Sequence, residues 1–267
     1  MLLNEKKLKA KSFVCSYFSF DLLYILYFRM VPIHQLLVAI VLTTTSTSVY
    51  WFPSSYTNWD YQLSSGYQPR GDNVTIVVRD REDEPIPGMY NICYINGFQT
   101  QSDRADIAAW TRLGVNTGVT DSEWPEYILD IRSKRKRARI ARRLVGFMKG
   151  CKAKGFQAIE VDNMDTALQT EGQVSTLGLN FRRHTVPLLK RLIRAAHSPG
   201  LDMAIGQKNS AEVSQELSSL GFDFAIAESC HKYDECAEYT QYYGTKVLRV
   251  EYPRALTCDS GYIRPTI

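Results

Sequence analysis

Ala158-Ile-Glu-Val-Asp-Asn163 is a short apolar run that ends in acidic and polar residues. Three later stretches repeat that design: Asp202-Met-Ala-Ile-Gly-Gln-Lys-Asn209, Asp223-Phe-Ala-Ile-Ala-Glu-Ser-Cys230 and Lys246-Val-Leu-Arg-Val-Glu-Tyr252. Apolar runs of this length, separated by helix-like segments, read as buried parallel strands. In a (β/α)8 barrel the C-terminal strand ends converge on one mouth, where the chemistry sits. Carboxylates would gather there from three different strands, so the chain reads as an enzyme.

The rest of the chain fits this frame. Trp59-Asp-Tyr-Gln-Leu63 and Val74–Val78 read as strands, and Tyr90-Asn-Ile-Cys-Tyr-Ile95 follows the second after Pro85 and Pro87. That gap is too short for a crossover helix, although parallel neighbours normally need one. Either these strands pair another way or a segment is missing. Asp103–Gly114 reads as a helix and Trp124–Ile131 carries a strand-like Tyr-Ile-Leu-Asp-Ile. Further helices are expected over Ser133–Gly155, Phe181–His197, Ala211–Leu220 and Glu235–Tyr243. Regular alternation implies a barrel or a doubly wound sheet, and the absence of a glycine-rich phosphate turn disfavours the latter.

Residues 1–49 read as a leader. Lys6, Lys7, Lys9 and Lys11 precede a largely apolar stretch, and a second start-like segment begins at Met30. A cleaved secretory signal from Met30 is the expectation, with a signal anchor as the alternative. Residues 50–267 would then form the catalytic domain. The formal net charge is +4, but the leader carries +3 of it, leaving a nearly neutral domain. The basic run Arg132–Arg143 has Ile131, Ile140, Leu144, Val145 and Met148 around it at helical spacings. It reads as the solvated face of an amphipathic helix, not a nucleic-acid footprint. A polyanion site is the competing reading. Without Cys15 five cysteines remain, an odd number. Cys230 and Cys236 are close enough in sequence to close a small loop in an oxidising compartment. Asn73-Val-Thr75 is a glycosylation sequon if the chain is secreted.

Glu160 and Asp162 lie two apart on one strand, so both point to the same face. Asp165 follows on the loop; Glu228 and Glu251 end later strands. Glycosidic cleavage uses two carboxyl groups, one protonating the leaving oxygen and one attacking or activating water. Plainer roles compete: Asp162, Asn163 or Asp165 could cap the next helix, and the acidic set could ligate a divalent cation. Lys208 beside the cluster argues against a bare metal cage and could pair with Glu160 or Asp162. No metal or cofactor is expected. Trp59, Tyr94, Trp124 and Tyr233 could stack on sugars or serve as core. His184, His197 and His231 read as structural.

In order along the chain, Asn91-Ile-Cys-Tyr-Ile95, Leu129-Asp-Ile-Arg132, Gly155-Phe-Gln-Ala-Ile-Glu-Val-Asp-Asn-Met-Asp165, Ala195-Ala-His-Ser-Pro-Gly-Leu201, Gln207-Lys-Asn209, Asp223–Cys236 and Val250-Glu-Tyr252 resemble the endo-α-1,4-polygalactosaminidases, glycoside hydrolase family 114. The resemblance spans about Trp59 to Cys258. It implies a (β/α)8 barrel that cleaves α-1,4-linked galactosamine polymers, cationic exopolysaccharides such as those of fungal biofilms. By motif, Asp162 matches the catalytic aspartate, as nucleophile or base, and Glu228 the second carboxylate, as acid/base; the two roles are interchangeable at this level. Tyr94, Glu160, Asn163, Asp165, Lys208, Asn209, Tyr233 and Glu251 would line the subsites. A monomer acting on a cationic aminosugar polysaccharide is expected, with no nucleic-acid partner and membrane contact only through an N-terminal anchor. Two departures stand out: the shortened connection before Tyr90, and an end at Ile267 where the family continues into an eighth strand and helix. An incomplete barrel that binds carbohydrate without cleaving it is the alternative.

Overall fold

A computed structural model describes residues 52–252 except 54–57, 64, 70–72, 122 and 171. The expected leader of residues 1–49, Cys15, Cys258 and the segment after Tyr252 lie outside the described residues.

The chain alternates between strands and helices. The elements are β1 (Asn58–Gln62), β2 (Val74–Asp80), β3 (Tyr90–Asn96), α1 (Arg104–Arg112), β4 (Asn116–Thr120), β5 (Tyr127–Leu129), α2 (Lys134–Lys154) and β6 (Ala158–Asp162), followed by α3 (Gly172–Ser175), α4 (Val186–Ala196), β7 (Ala204–Lys208), α5 (Ser214–Leu220), β8 (Phe224–Glu228), α6 (Cys236–Tyr243) and β9 (Val247–Val250). Seven strands form one sheet in the order β1-β2-β3-β6-β7-β8-β9. Every pairing is parallel. The result is a nearly closed, incomplete (β/α)8 barrel, with β1 and β9 at its edges among the described residues.

The four runs that end in polar residues are consecutive neighbours in the sheet, β6 to β9. Strand period two sorts their side chains. One set, including Ile76, Ile92, Ala158, Ala204, Phe224, Ile226 and Leu248, fills the barrel interior. The other, including Ile159, Val161, Ile205, Ala225 and Ala227, packs with Leu144, Met148, Leu188 and Leu192 of the surrounding helices. Gly206 is needed inside: a Cβ there would lie 2.5 Å from the Phe224 ring. Phe52 stacks on Phe224 at 4.3 Å between centroids.

Two sequence expectations change. The Tyr-Ile-Leu-Asp-Ile segment is not a barrel strand. β5 pairs antiparallel with β4 in a separate two-stranded sheet, and β3 pairs directly with β6. A three-residue strand cannot be assigned to a sheet by its local pattern, because the partner decides. Second, β2 and β3 are parallel neighbours despite the helix-free link between them. The Asn91 side chain staples this link, accepting from Ile86 N at 2.7 Å and donating to the Ile86 and Met89 carbonyls. Lys154, in the last turn of α2, donates to the carbonyls of Arg81, Glu82 and Asp83. Buried Ile86 and the stacking of Arg81 on Phe147 at 4.2 Å cover the face where a helix would sit.

The basic run is part of this framework. Ser133 caps α2, accepting from Lys136 N, and Gly155 ends it at φ 106°. Arg132 and Lys136 both pair with Asp130, and Arg143 pairs with Asp106. Two disulfides are present among the described residues. Cys230–Cys236 closes the expected small loop, and Cys93–Cys151 ties β3 to α2 across 58 residues.

Candidate active site

Asp162, Lys208 and Glu228 are the final residues of β6, β7 and β8. Each strand then turns sharply through left-handed residues: Asn163 (φ 63°), Asn209 (φ 49°) with Ser210 (φ 68°), and Ser229 (φ 55°). Outside glycine this conformation is uncommon, and asparagine tolerates it best. The turns carry the chain away and leave the three side chains converging on one point.

Lys208 is the centre. Its Nζ lies 3.2 Å from Asp162 Oδ1, 3.2 Å from Glu228 Oε2 and 3.5 Å from Glu160 Oε1. Burial would discharge this ammonium, but the surrounding carboxylates outweigh it and hold its pKa well above the ordinary value. Asp162 also accepts from Tyr94 Oη at 2.8 Å and from Asn163 N at 2.8 Å. Glu228 accepts from Tyr252 Oη at 2.6 Å and from Asn209 Nδ2 at 3.1 Å. Asn209 Oδ1 in turn accepts from Glu228 N, locking the two residues together. Burial alone would raise the Glu228 carboxyl. Lys208 and these donors overcome it and hold Glu228 below its usual range.

Glu160 stands behind the pair, fully buried, with Oε1 accepting from Tyr61 Oη at 2.8 Å. Burial pushes its carboxyl up to about 8, against the pull of Lys208. Three more acids near the mouth are raised, Asp80 among them through burial. Asp165 rises to about 6 through burial and the Asp162 charge. Glu126 rises to about 7 through burial, despite the hydrogen bond it accepts from Asn96. Asn96 Oδ1 also accepts from Asn163 Nδ2 at 3.0 Å, so the β4–β5 hairpin is coupled to the end of β6.

The three strand ends open into a cavity of about 1560 Å³. Of the residues expected from sequence, Tyr94, Asp162, Asn163, Asp165, Lys208, Asn209 and Glu228 line it. Glu160, Tyr233 and Glu251 do not. Glu160 lies beneath the floor. Tyr233 is 60% exposed on the Ser229–Asp234 turn, in contact with Lys232. Glu251 accepts from His231 N at 2.8 Å. Strand parity explains the last case: Leu248 and Val250 face the interior, so Tyr252 does too and Glu251 does not. The same rule would have found Tyr61, which shares its face with Trp59. Glu126 and Asn96 carry no local signal, because a hairpin far along the chain brings them in. The cap reading also resolves: the 3-10 turn Met164–Leu168 begins at Asn163 without any side-chain cap.

The model of glycoside-hydrolase family GH114 matches residues 41–264. The chain belongs to glycoside-hydrolase family GH114. Among solved structures, Aspergillus fumigatus Ega3 in complex with galactosamine superposes with a TM-score of 0.62 at 21% identity, covering 79% of this chain and 85% of that one. The glycoside hydrolase domain of PelA from Pseudomonas aeruginosa gives a TM-score of 0.48 at 18% identity, covering 65% and 67%. A comparison with curated protein sequences found no match. As a GH114 member the chain is a glycoside hydrolase, and the Ega3 likeness agrees with the incomplete barrel described above.

Proposed function

We propose that this GH114 member is an endo-acting hydrolase of α-1,4-linked galactosamine polymers, with Asp162 as nucleophile and Glu228 as general acid/base. The carrying observation is the pair of carboxylates held by one buried ammonium at the floor of a cavity lined with acids. Asp80, Asp121, Glu123, Glu126 and Asp165 line that cavity, with Lys208 committed to the carboxylates. A polymer bearing ammonium groups is attracted to such a mouth. The presence of galactosamine in the Ega3 complex supports the same substrate class. Trp124, 66% exposed at the cavity wall, offers a face for a sugar ring.

Asp162 Oδ1 and Glu228 Oε2 each lie 3.2 Å from Lys208 Nζ, so these two oxygens are at most twice that distance apart. This favours the retaining arrangement (carboxyls about 5–5.5 Å apart) over the inverting one (about 6.5–9.5 Å), which must hold a water between them. In the first step an Asp162 oxygen attacks the anomeric carbon while Glu228, which the free site holds ionised and which must therefore take up a proton as substrate binds, gives that proton to the departing glycosidic oxygen. In the second, Glu228 takes a proton from water, which displaces Asp162 and releases a product of unchanged configuration. The shorter side chain, fixed by a backbone N–H, Tyr94 and Lys208, suits the nucleophile. The longer Glu228, with its side chain 25% exposed, suits proton exchange.

Purified protein should cleave α-1,4-galactosamine oligomers internally, and D162N or E228Q should lower kcat by about 100-fold or more. Azide should restore turnover to an Asp162→Ala variant with inverted product and to an Glu228→Ala variant with retained product. Unchanged rates in D162N and E228Q would remove the assignment; tight binding without cleavage by the unaltered protein would favour a carbohydrate-binding role. The two disulfides support maturation in an oxidising compartment, and so a secreted or membrane-anchored product. Among the described residues no helix is long and apolar enough to cross a membrane. N-terminal sequencing of the mature protein would test cleavage of the leader.

A further inference from the structure

Three carboxylates face one ammonium in this site, and they are not equally provided for. Asp162 has three donors: Tyr94 Oη, Asn163 N and Lys208 Nζ. Glu228 also has three: Tyr252 Oη, Asn209 Nδ2 and Lys208 Nζ. Glu160 has the hydroxyl of Tyr61 and the more distant Lys208, both at Oε1. Its other oxygen, Oε2, is buried with no hydrogen-bond partner among the described residues. Its side chain is 0% exposed, whereas those of Asp162 and Glu228 are 16% and 25% exposed.

Burying an ionised carboxylate with a bare oxygen costs far more than burying a neutral carboxyl. Full ionisation would also set three negative charges against the one positive charge of buried Lys208. One proton relieves both problems, and Oε2 of Glu160 is the place for it. With the proton there, Oε1 remains a carbonyl acceptor for Tyr61, as observed. Lys208 Nζ, 3.3 Å from Tyr61 Oη, then rests on a neutral floor and gives its charge to Asp162 and Glu228.

We propose that Glu160 is a positioning residue that rests as a neutral carboxylic acid, forming with Tyr61 the floor that directs Lys208 toward the two catalytic carboxylates. Its catalytic consequence rests on the assignment of Asp162 and Glu228, whereas its protonation state does not. The ionisable groups facing it are Tyr61 on β1, Tyr94 on β3, Asp162 on its own strand, Lys208 on β7 and Glu228 on β8. Burial, the largest influence, and the charges of Asp162 and Glu228 favour the proton; Lys208 and Tyr61 oppose it and do not prevail.

Glu160→Gln mimics the neutral acid, and Glu160→Ala removes the floor. The full chain at pH 6 should show the infrared carbonyl band of a protonated buried carboxyl, absent from E160Q. A carboxyl raised from about 4.3 when unfolded to about 8 when folded loses stabilisation as pH rises between those values. The Tm of E160Q minus that of the unaltered protein should therefore increase from pH 5 to pH 8. In turnover, E160A should lose about tenfold or more in kcat, within the range of a mispositioned catalytic group, with little change in KM; E160Q should recover most of that loss. No carbonyl band, together with a pH-independent fall in Tm for E160Q, would identify an ionised Glu160 paired with Lys208 and overturn the proposal. So would kcat in E160Q as low as in E160A. The infrared and thermal measurements need no substrate, so they stand even if galactosamine polymers prove not to be cleaved.

Discussion

Glu228 is kept ionised by donors from two neighbouring strand ends, and the hydroxyl of Tyr252 is the most accessible of them. Tyr252→Phe removes one hydrogen bond to a charged group, so the Glu228 pKa should rise by roughly one pH unit. A general acid must be protonated to work. If Glu228 is the acid, the alkaline limb of the kcat/KM profile moves upward by that amount; if it is the nucleophile, the acidic limb moves instead. Measuring both limbs in Y252F therefore assigns the roles. The acidic strand ends were legible in the sequence because each closes an apolar run, and the resemblance to the family singled out Asp162 and Glu228 among them. Tyr61 and Tyr252 were legible only through strand parity, which placed Tyr252 and not Glu251 in the mouth.

At the scale of elements, the helix-free link between β2 and β3 depends on Asn91. Its buried amide makes three hydrogen bonds that fold residues 81–89 back over the sheet. Asn91→Ala should cost about 3 kcal/mol, three lost hydrogen bonds at about 1 kcal/mol each, visible as a lower urea midpoint with an unchanged slope. A loss under about 0.5 kcal/mol would mean that Lys154 alone holds the link. The same element explains an expectation from sequence. A run of prolines and acids looked like a missing crossover, because nothing local announces that Asn91 and Lys154 will replace a helix. The β4–β5 hairpin was obscure for a related reason: a three-residue strand gains its identity from its partner, and so Glu126 reached the cavity unannounced.

Across the whole molecule, the acidic mouth sets how affinity should vary with solution conditions. Asp165 ionises near pH 6 and Glu126 near pH 7, so the mouth becomes more negative between pH 5 and pH 7. The KM for a cationic oligomer should fall over that interval, and added salt should reverse the gain by screening. A KM independent of both would remove the electrostatic role of these acids. The Cys93–Cys151 disulfide closes a 58-residue span between β3 and α2. Replacing both cysteines by alanine should lower stability by about 4 kcal/mol, the chain-entropy value for such a loop, as read from denaturant unfolding. Sequence by itself determined the alternating strands and helices, the family, and the acidic ends of β6 and β8, because period-two burial and strand-end chemistry are local properties. Tertiary structure alone decided that one lysine joins three carboxylates, that Glu160 lies beneath the floor with an unpartnered oxygen, and that Cys93 meets Cys151. Those facts depend on distances between strands far apart in the chain, which only closure of the barrel wall fixes.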